Sequence, residues 1–106
     1  MWLGHSDGWL SIVEHRDDST LLLVRARKES HITSIWGDVD VIHMPDADYP
    51  YRVNLDREVV KKGLCEYIER IDYDNFKRSV RDKRLKYAFE HIWSVMYRYG
   101  VEYRDE

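Results

Sequence analysis

The sequence predicts an α+β fold, with an antiparallel sheet of about four strands in the first half packed against two or three helices in the second. Aliphatic and β-branched runs of strand length, broken by turn residues, fill positions 9–55. From position 56 onward the apolar residues recur at helical spacing instead. The charge balance changes with them: five Lys and Arg oppose nine Asp and Glu in residues 1–53, and twelve oppose eleven in residues 54–106. A length of 106 residues, 43% of them hydrophobic and 35% charged, suits one globular domain with a packed core and excludes a separate cofactor domain.

Trp9–His15 carries Leu10, Ile12 and Val13, the turn formers Arg16-Asp17-Asp18-Ser19 follow, and Leu21–Arg27 forms a second run, so the pair reads as a hairpin. Ile32, Ile35 and Trp36 fall at i, i+3, i+4, which predicts a short helix over Ser30–Trp36 stopped by Gly37. Val39–His43 and Tyr51–Leu55 are the third and fourth strands. Pro45 and Pro50 bound the segment between them, and a proline has no N–H for a central ladder. Pro50 also pushes Tyr49 into an extended conformation, after which Tyr51 and Val53 face one side of the sheet and Arg52 the other.

Asp56 is the expected N-cap of a helix whose stripe is Val60, Leu64, Tyr67, Ile68 and Ile71. Asp74 is the expected cap of a shorter helix in which Phe76 and Val80 share a face. Asp82 caps a longer one carrying Leu85, Phe89, Ile92, Trp93 and Met96, ended by Gly100. Residues 1–8 and 101–106 are expected to be flexible ends of a single domain covering 1–106.

Several motifs point to chemistry. Gly4-His5-Ser6-Asp7-Gly8 fits the pattern G-x-S-x-G, but with three residues ahead of it no strand leads into the turn, so a loop is expected. His43, Asp46 and Asp48 lie close together and, with His5 or His15, have the donor types of a divalent-metal site; Asp46 and Asp48 equally suit a solvated turn. The lone cysteine, Cys65, excludes an internal disulfide, and no histidine near it in sequence marks it as a nucleophile. Lys77 to Lys86 holds six cations and one anion, a footprint for phosphates or an acidic protein face, which Arg25 and Arg27 extend if the fold brings them near. Tyr87, Tyr97 and Tyr103 fall away from the Leu85–Met96 stripe and are candidates for contact with another chain. The candidate binding residues are therefore Arg25, Arg27, Lys77, Arg78, Arg81, Lys83, Arg84, Tyr87 and Tyr97. No catalytic constellation, metal or cofactor is expected, and neither a bilayer-length apolar run nor a secretion signal is evident, so a soluble, cytoplasmic protein is expected.

Asp48-Tyr49-Pro50-Tyr51-Arg52, Ile71-Asp72-Tyr73-Asp74-Asn75-Phe76-Lys77 and Ile92-Trp93-Ser94-Val95-Met96 together resemble a family of small proteins carried by bacteriophages and bacterial genomes. The resemblance covers Leu21 to Met96. It implies a phage or prophage accessory protein acting inside the host cell and carries over no catalytic residue. The expected activity is non-enzymatic: binding and inhibition of a host protein or ribonucleoprotein complex, most naturally a defence complex in the manner of an anti-CRISPR protein. The alternative is a module for single-stranded nucleic acid or a nucleotide, bound through the 77–86 tract with an aromatic ring stacking on a base.

Overall fold

In the computed structural model, which describes residues 1–105, the fold is α+β, with an antiparallel sheet of five strands in the first half and helices in the second. The strands are β1 (Trp2–His5), β2 (Gly8–Glu14), β3 (Leu21–Ala26), β4 (Ile42–His43) and β5 (Tyr51–Asp56), in the order β1-β2-β3-β5-β4. The helices are α1 (Ser30–Trp36), α2 (Arg57–Glu69), α3 (Phe76–Ser79) and α4 (Lys83–Glu102). The chain divides into two compact units, Met1–Asp72 and the segment from Tyr73 onward. None of the helices among the described residues is long and apolar enough to cross a membrane.

In the first unit, strand alternation sends Leu10, Ile12, Val24, Ala26 and Val53 to one face, where Ile32 of α1 and Val60 of α2 complete a buried cluster. Leu10, Val24 and Ile32 are wholly buried, and burial of each such aliphatic side chain stabilises the fold by about 1.5–3 kcal/mol. Tyr51 joins this side and Arg52 points to the other, as the alternation requires. Two glycines set the closeness of the helices. A Cβ on Gly63 would collide with the Trp36 indole, and one on Gly8 with the His31 side chain. Trp36 uses the space at Gly63 to donate its Nε1–H to the Val59 carbonyl at 3.2 Å.

Several boundaries differ from the sequence reading. Residues 1–8, expected to be a flexible end, supply β1, which is why the sheet has five strands; Leu3 sits opposite Leu10 and packs on the core. The third expected strand, Val39–His43, shrinks to Ile42–His43. Val39 and Val41 donate to Gly37 and Val39 carbonyls in successive i to i+2 turns, so both side chains reach the core while the backbone leaves the ladder. Gly37, at φ 70°, does end α1, and its N–H donates to Thr33 at 2.8 Å. Of the expected α2 stripe, Val60, Leu64 and Tyr67 are buried or half-buried, but Ile68 is exposed and so is Ile71, which lies past the helix end at Glu69.

In the second unit Asn75, one residue past the expected Asp74, caps α3 by accepting from the Arg78 amide at 3.2 Å. Asp82 caps α4 as expected, accepting from Arg84 and Leu85 amides at 2.9 and 3.1 Å. Gly100 does not end α4. Its φ is not positive, and the helix runs on to Glu102.

Candidate functional site

Arg25 lies on β3 directly between Ser11 of β2 and Arg52 of β5, on the sheet face opposite the core. Its Nη2 donates to the buried Ser11 hydroxyl at 2.8 Å. Arg25 and Arg27 both reach the ring of Tyr49, with guanidinium carbons 4.8 and 4.3 Å from the centroid. Tyr49 is only 6% exposed, and its carbonyl accepts from Arg52 Nη2 at 3.4 Å. So the structure does bring Arg25 and Arg27 together, around an aromatic ring that the sequence singled out only as a strand entry. It also adds Arg52, which sequence reasoning passed over; the signal available was the alternation that puts Arg52 opposite Tyr51. The Nε atoms of Arg25 and Arg52 are buried without a hydrogen-bond partner among the described residues. None of the three arginines has a carboxylate partner among the described residues.

The other candidates belong to the second unit. Lys77 places its ammonium 5.1 Å over the Trp93 ring, and Arg78, Arg81, Lys83 and Arg84 are exposed. Tyr87 and Tyr97 are exposed on α4, where Tyr87 packs edge-on against His91 and Tyr97 stacks on Trp93 at 5.3 Å. The expected core stripe of α4 is only partly a core. Phe76 packs edge-on against Phe89, which is buried, and Leu85 is half-buried, but Ile92, Trp93 and Met96 are exposed, and Val95 with them. Tyr103 was expected to leave this stripe. It follows Leu85 by about five helical turns and therefore continues it. Leu85, Phe89, Ile92, Met96, Tyr99 and Tyr103 alternate four- and three-residue steps, a heptad-like seam whose last four members are all exposed. Val95, Arg98, Tyr99, Glu102 and Tyr103 line a shallow depression beside it.

His43, Asp46 and Asp48 do not assemble. His43 stacks flat on Tyr51 at 4.5 Å, Asp48 accepts from the Tyr49 amide at 2.9 Å, and Asp46 is exposed. Among the described residues no group of three His, Cys, Asp or Glu side chains is arranged to hold a metal ion. Ser6 sits in a two-residue turn between β1 and β2. A strand does lead into it, contrary to expectation, but a strand also leads out, whereas a nucleophile elbow leads into a helix. Cys65 is exposed on α2.

A polar cluster the sequence did not reveal surrounds His5. Nε2 donates to the His31 carbonyl at 3.1 Å and Nδ1 accepts from the Asp7 amide at 3.2 Å, which fixes the neutral tautomer. Tyr67, 3.3 Å from Nδ1, donates its hydroxyl to Asp7 at 2.6 Å. Burial holds the His5 pKa down at about 4, against the His31 carbonyl and the Asp7 charge, which both pull it up. His5 and Asp7 are neighbours in the β1–β2 turn, but Tyr67 is about sixty residues further along the chain, so only the docking of α2 beside that turn creates the group. No protein-family model, curated protein or solved structure matches this chain.

Proposed function

We propose that this protein acts by non-covalent docking of α4 onto another protein, and that the target is a host protein or ribonucleoprotein complex of a bacterial defence system. The observation that carries the docking is the exposed apolar seam of α4. Ile92, Trp93, Val95, Met96, Tyr99 and Tyr103 are 37–69% exposed, although they continue the stripe that begins with the buried Phe89. Together they offer on the order of 700 Å² of apolar and aromatic surface, close to one side of a standard interface of about 800 Å² per partner. Aromatic pairs at i, i+4 (Trp93 with Tyr97, Tyr99 with Tyr103) hold this surface in shape before a partner arrives, which lowers the entropy lost on binding.

Charge defines the partner. Six cations and one anion cluster in residues 77–86 at the start of α4, whereas residues 87–101 hold one anion and one cation. A complementary surface is an apolar groove with acidic side chains at one end. The defence-system target rests on the resemblance to phage-borne proteins. A photo-crosslinker placed at Met96 should capture the same protein that copurifies with the tagged chain, while one at Ser94, on the polar side, should not. Met96→Glu should abolish copurification and, in a bacterium with active defence, the plaque formation that the unmodified protein restores. Equal capture from both positions, or a folded chain whose α4 seam is covered by a second copy in sedimentation and crosslinking, overturns the docking; failure of the unmodified protein to restore plaque formation while its docking is intact overturns only the target.

The exposed side chains of Arg78, Arg81, Lys83 and Arg84, which have no carboxylate partner among the described residues, favour a second reading, phosphate binding by this tract. Binding that weakens log-linearly with salt and is lost on charge reversal of Arg81 and Arg84 is its signature.

A further inference from the structure

We infer that the sheet face opposite the core is a site for a nucleotide phosphate and its base, with Arg25, Arg27 and Arg52 on the phosphate and Trp2 under the base. The strand register supplies the placement. Trp2, Ser11, Arg25 and Arg52 are successive cross-strand neighbours on β1, β2, β3 and β5, so they form one row on one face. Trp9, two positions from Ser11, lies in the adjoining row, and its ring is 6.0 Å from that of Trp2.

Arg25 and Arg52 stand directly opposite each other, where like charges repel. Each guanidinium has five N–H donors, and here each has one hydrogen-bond acceptor among the described residues, the Ser11 hydroxyl and the Tyr49 carbonyl respectively. Both Nε atoms are buried and have no hydrogen-bond partner among the described residues. Unmatched donors on paired cations suit an anionic ligand, and the planar forks of arginine fit phosphate oxygens in particular. Tyr49 holds Arg25 and Arg27 on the same spot, and Arg27 is itself exposed. Trp2, at the other end of the row, is 70% exposed, which leaves an indole face for a base to stack on. A sheet face with arginines beside stacking rings is the way several folds hold unpaired bases. Asp56, an acidic residue on this face of β5, is four residues beyond Arg52, about 13 Å along the strand.

The ligand has two sources, a single-stranded nucleic acid or a free nucleotide, and the test separates them. Binding of a short fluorescein-labelled oligothymidylate is followed by anisotropy at low salt, with thymidine monophosphate and inorganic phosphate as competitors. The expected result is saturable binding whose logarithm falls with the logarithm of salt at a slope of about 2, as two or three phosphate contacts require. Arg52→Gln should weaken it by about tenfold, and so should Trp2→Ala through lost stacking. Arg16→Gln removes a positive charge from the turn at the far end of these strands and should leave affinity unchanged. As a second readout, the oligonucleotide should raise the unfolding temperature of the unmodified chain but not of Arg52→Gln. Competition by thymidine monophosphate as strong as by unlabelled oligonucleotide assigns the free nucleotide; much weaker competition assigns the strand. No saturable binding, an Arg16→Gln loss equal to that of Arg52→Gln, or full affinity in Trp2→Ala would each overturn the inference.

Discussion

Acidification should unlatch the β1–β2 turn through His5, and the size of the effect follows from its surroundings. The folded protein holds His5 at about 4, against 6.5 for an ordinary histidine, because burial of a residue only 5% exposed penalises the charged imidazolium more than the His31 carbonyl and the Asp7 charge favour it. The folded pKa is depressed, so the unfolded chain binds the proton first. Stability is therefore full above about pH 6.5 and falls as pH drops through the interval down to about 4. Between neutral pH and about pH 4.5 this one group removes on the order of 2.5 kcal/mol, a large part of the 5–15 kcal/mol typical of a domain. Asp18, whose carboxylate is lowered by the Thr20 hydroxyl and amide, acts in the same direction only below its ordinary value of 3.8, outside this window. His5→Asn keeps an acceptor for the Asp7 amide and removes the titration. Urea unfolding followed by tryptophan fluorescence should show the variant less stable at neutral pH, with the gap narrowing by about 2.5 kcal/mol at pH 4.5. A gap that stays constant between the two pH values would refute the assignment of a neutral, proton-resisting His5.

Other outcomes follow from packing. Leu10→Ala, at a wholly buried position, should cost about 2–5 kcal/mol in the same unfolding assay. Gly63→Ala should be destabilising by about 1–3 kcal/mol, since its new methyl meets the Trp36 ring, and the shift should appear in the near-ultraviolet dichroism of that tryptophan. Asp82→Ala should reduce stability by about 1 kcal/mol, with a loss of far-ultraviolet helix signal on heating, because two amides of α4 lose their acceptor. Met96→Glu, by contrast, should leave the unfolding free energy within about 0.5 kcal/mol of the unmodified chain, as the residue is 56% exposed.

Much of the architecture was legible because it depends on local rules. Apolar runs bounded by turn residues marked β2 and β3, alternation marked β5, Gly37 marked the end of α1, and Asp82 marked the start of α4, each through a preference that operates within a few residues. What escaped was set at longer range. Trp2–His5 is too short and too interrupted by Gly4 to read as a strand, and becomes one only by pairing with Gly8–Ser11. The stripe on α4 was read as core because helical spacing shows which residues share a face without showing whether anything covers it. Arg25 and Arg27 were visible as cations, but their meeting at Tyr49 and the opposition of Arg25 to Arg52 depend on β3 pairing with β5 across about thirty intervening residues. The His5 cluster draws on residues 5, 7, 31 and 67 and leaves no periodic trace at all.

The sheet ends in β4 on one side and β1 on the other. β4 is two residues long, and the prolines flanking the loop after it keep the backbone from continuing the ladder. That margin is too stubby to recruit an extended segment from another molecule, so it guards the protein against edge-to-edge polymerisation at high concentration. The β1 margin has twice the length. If fibrils ever form from the folded protein, they should grow from there, and a lysine introduced at Gly4 is the gatekeeper to try first.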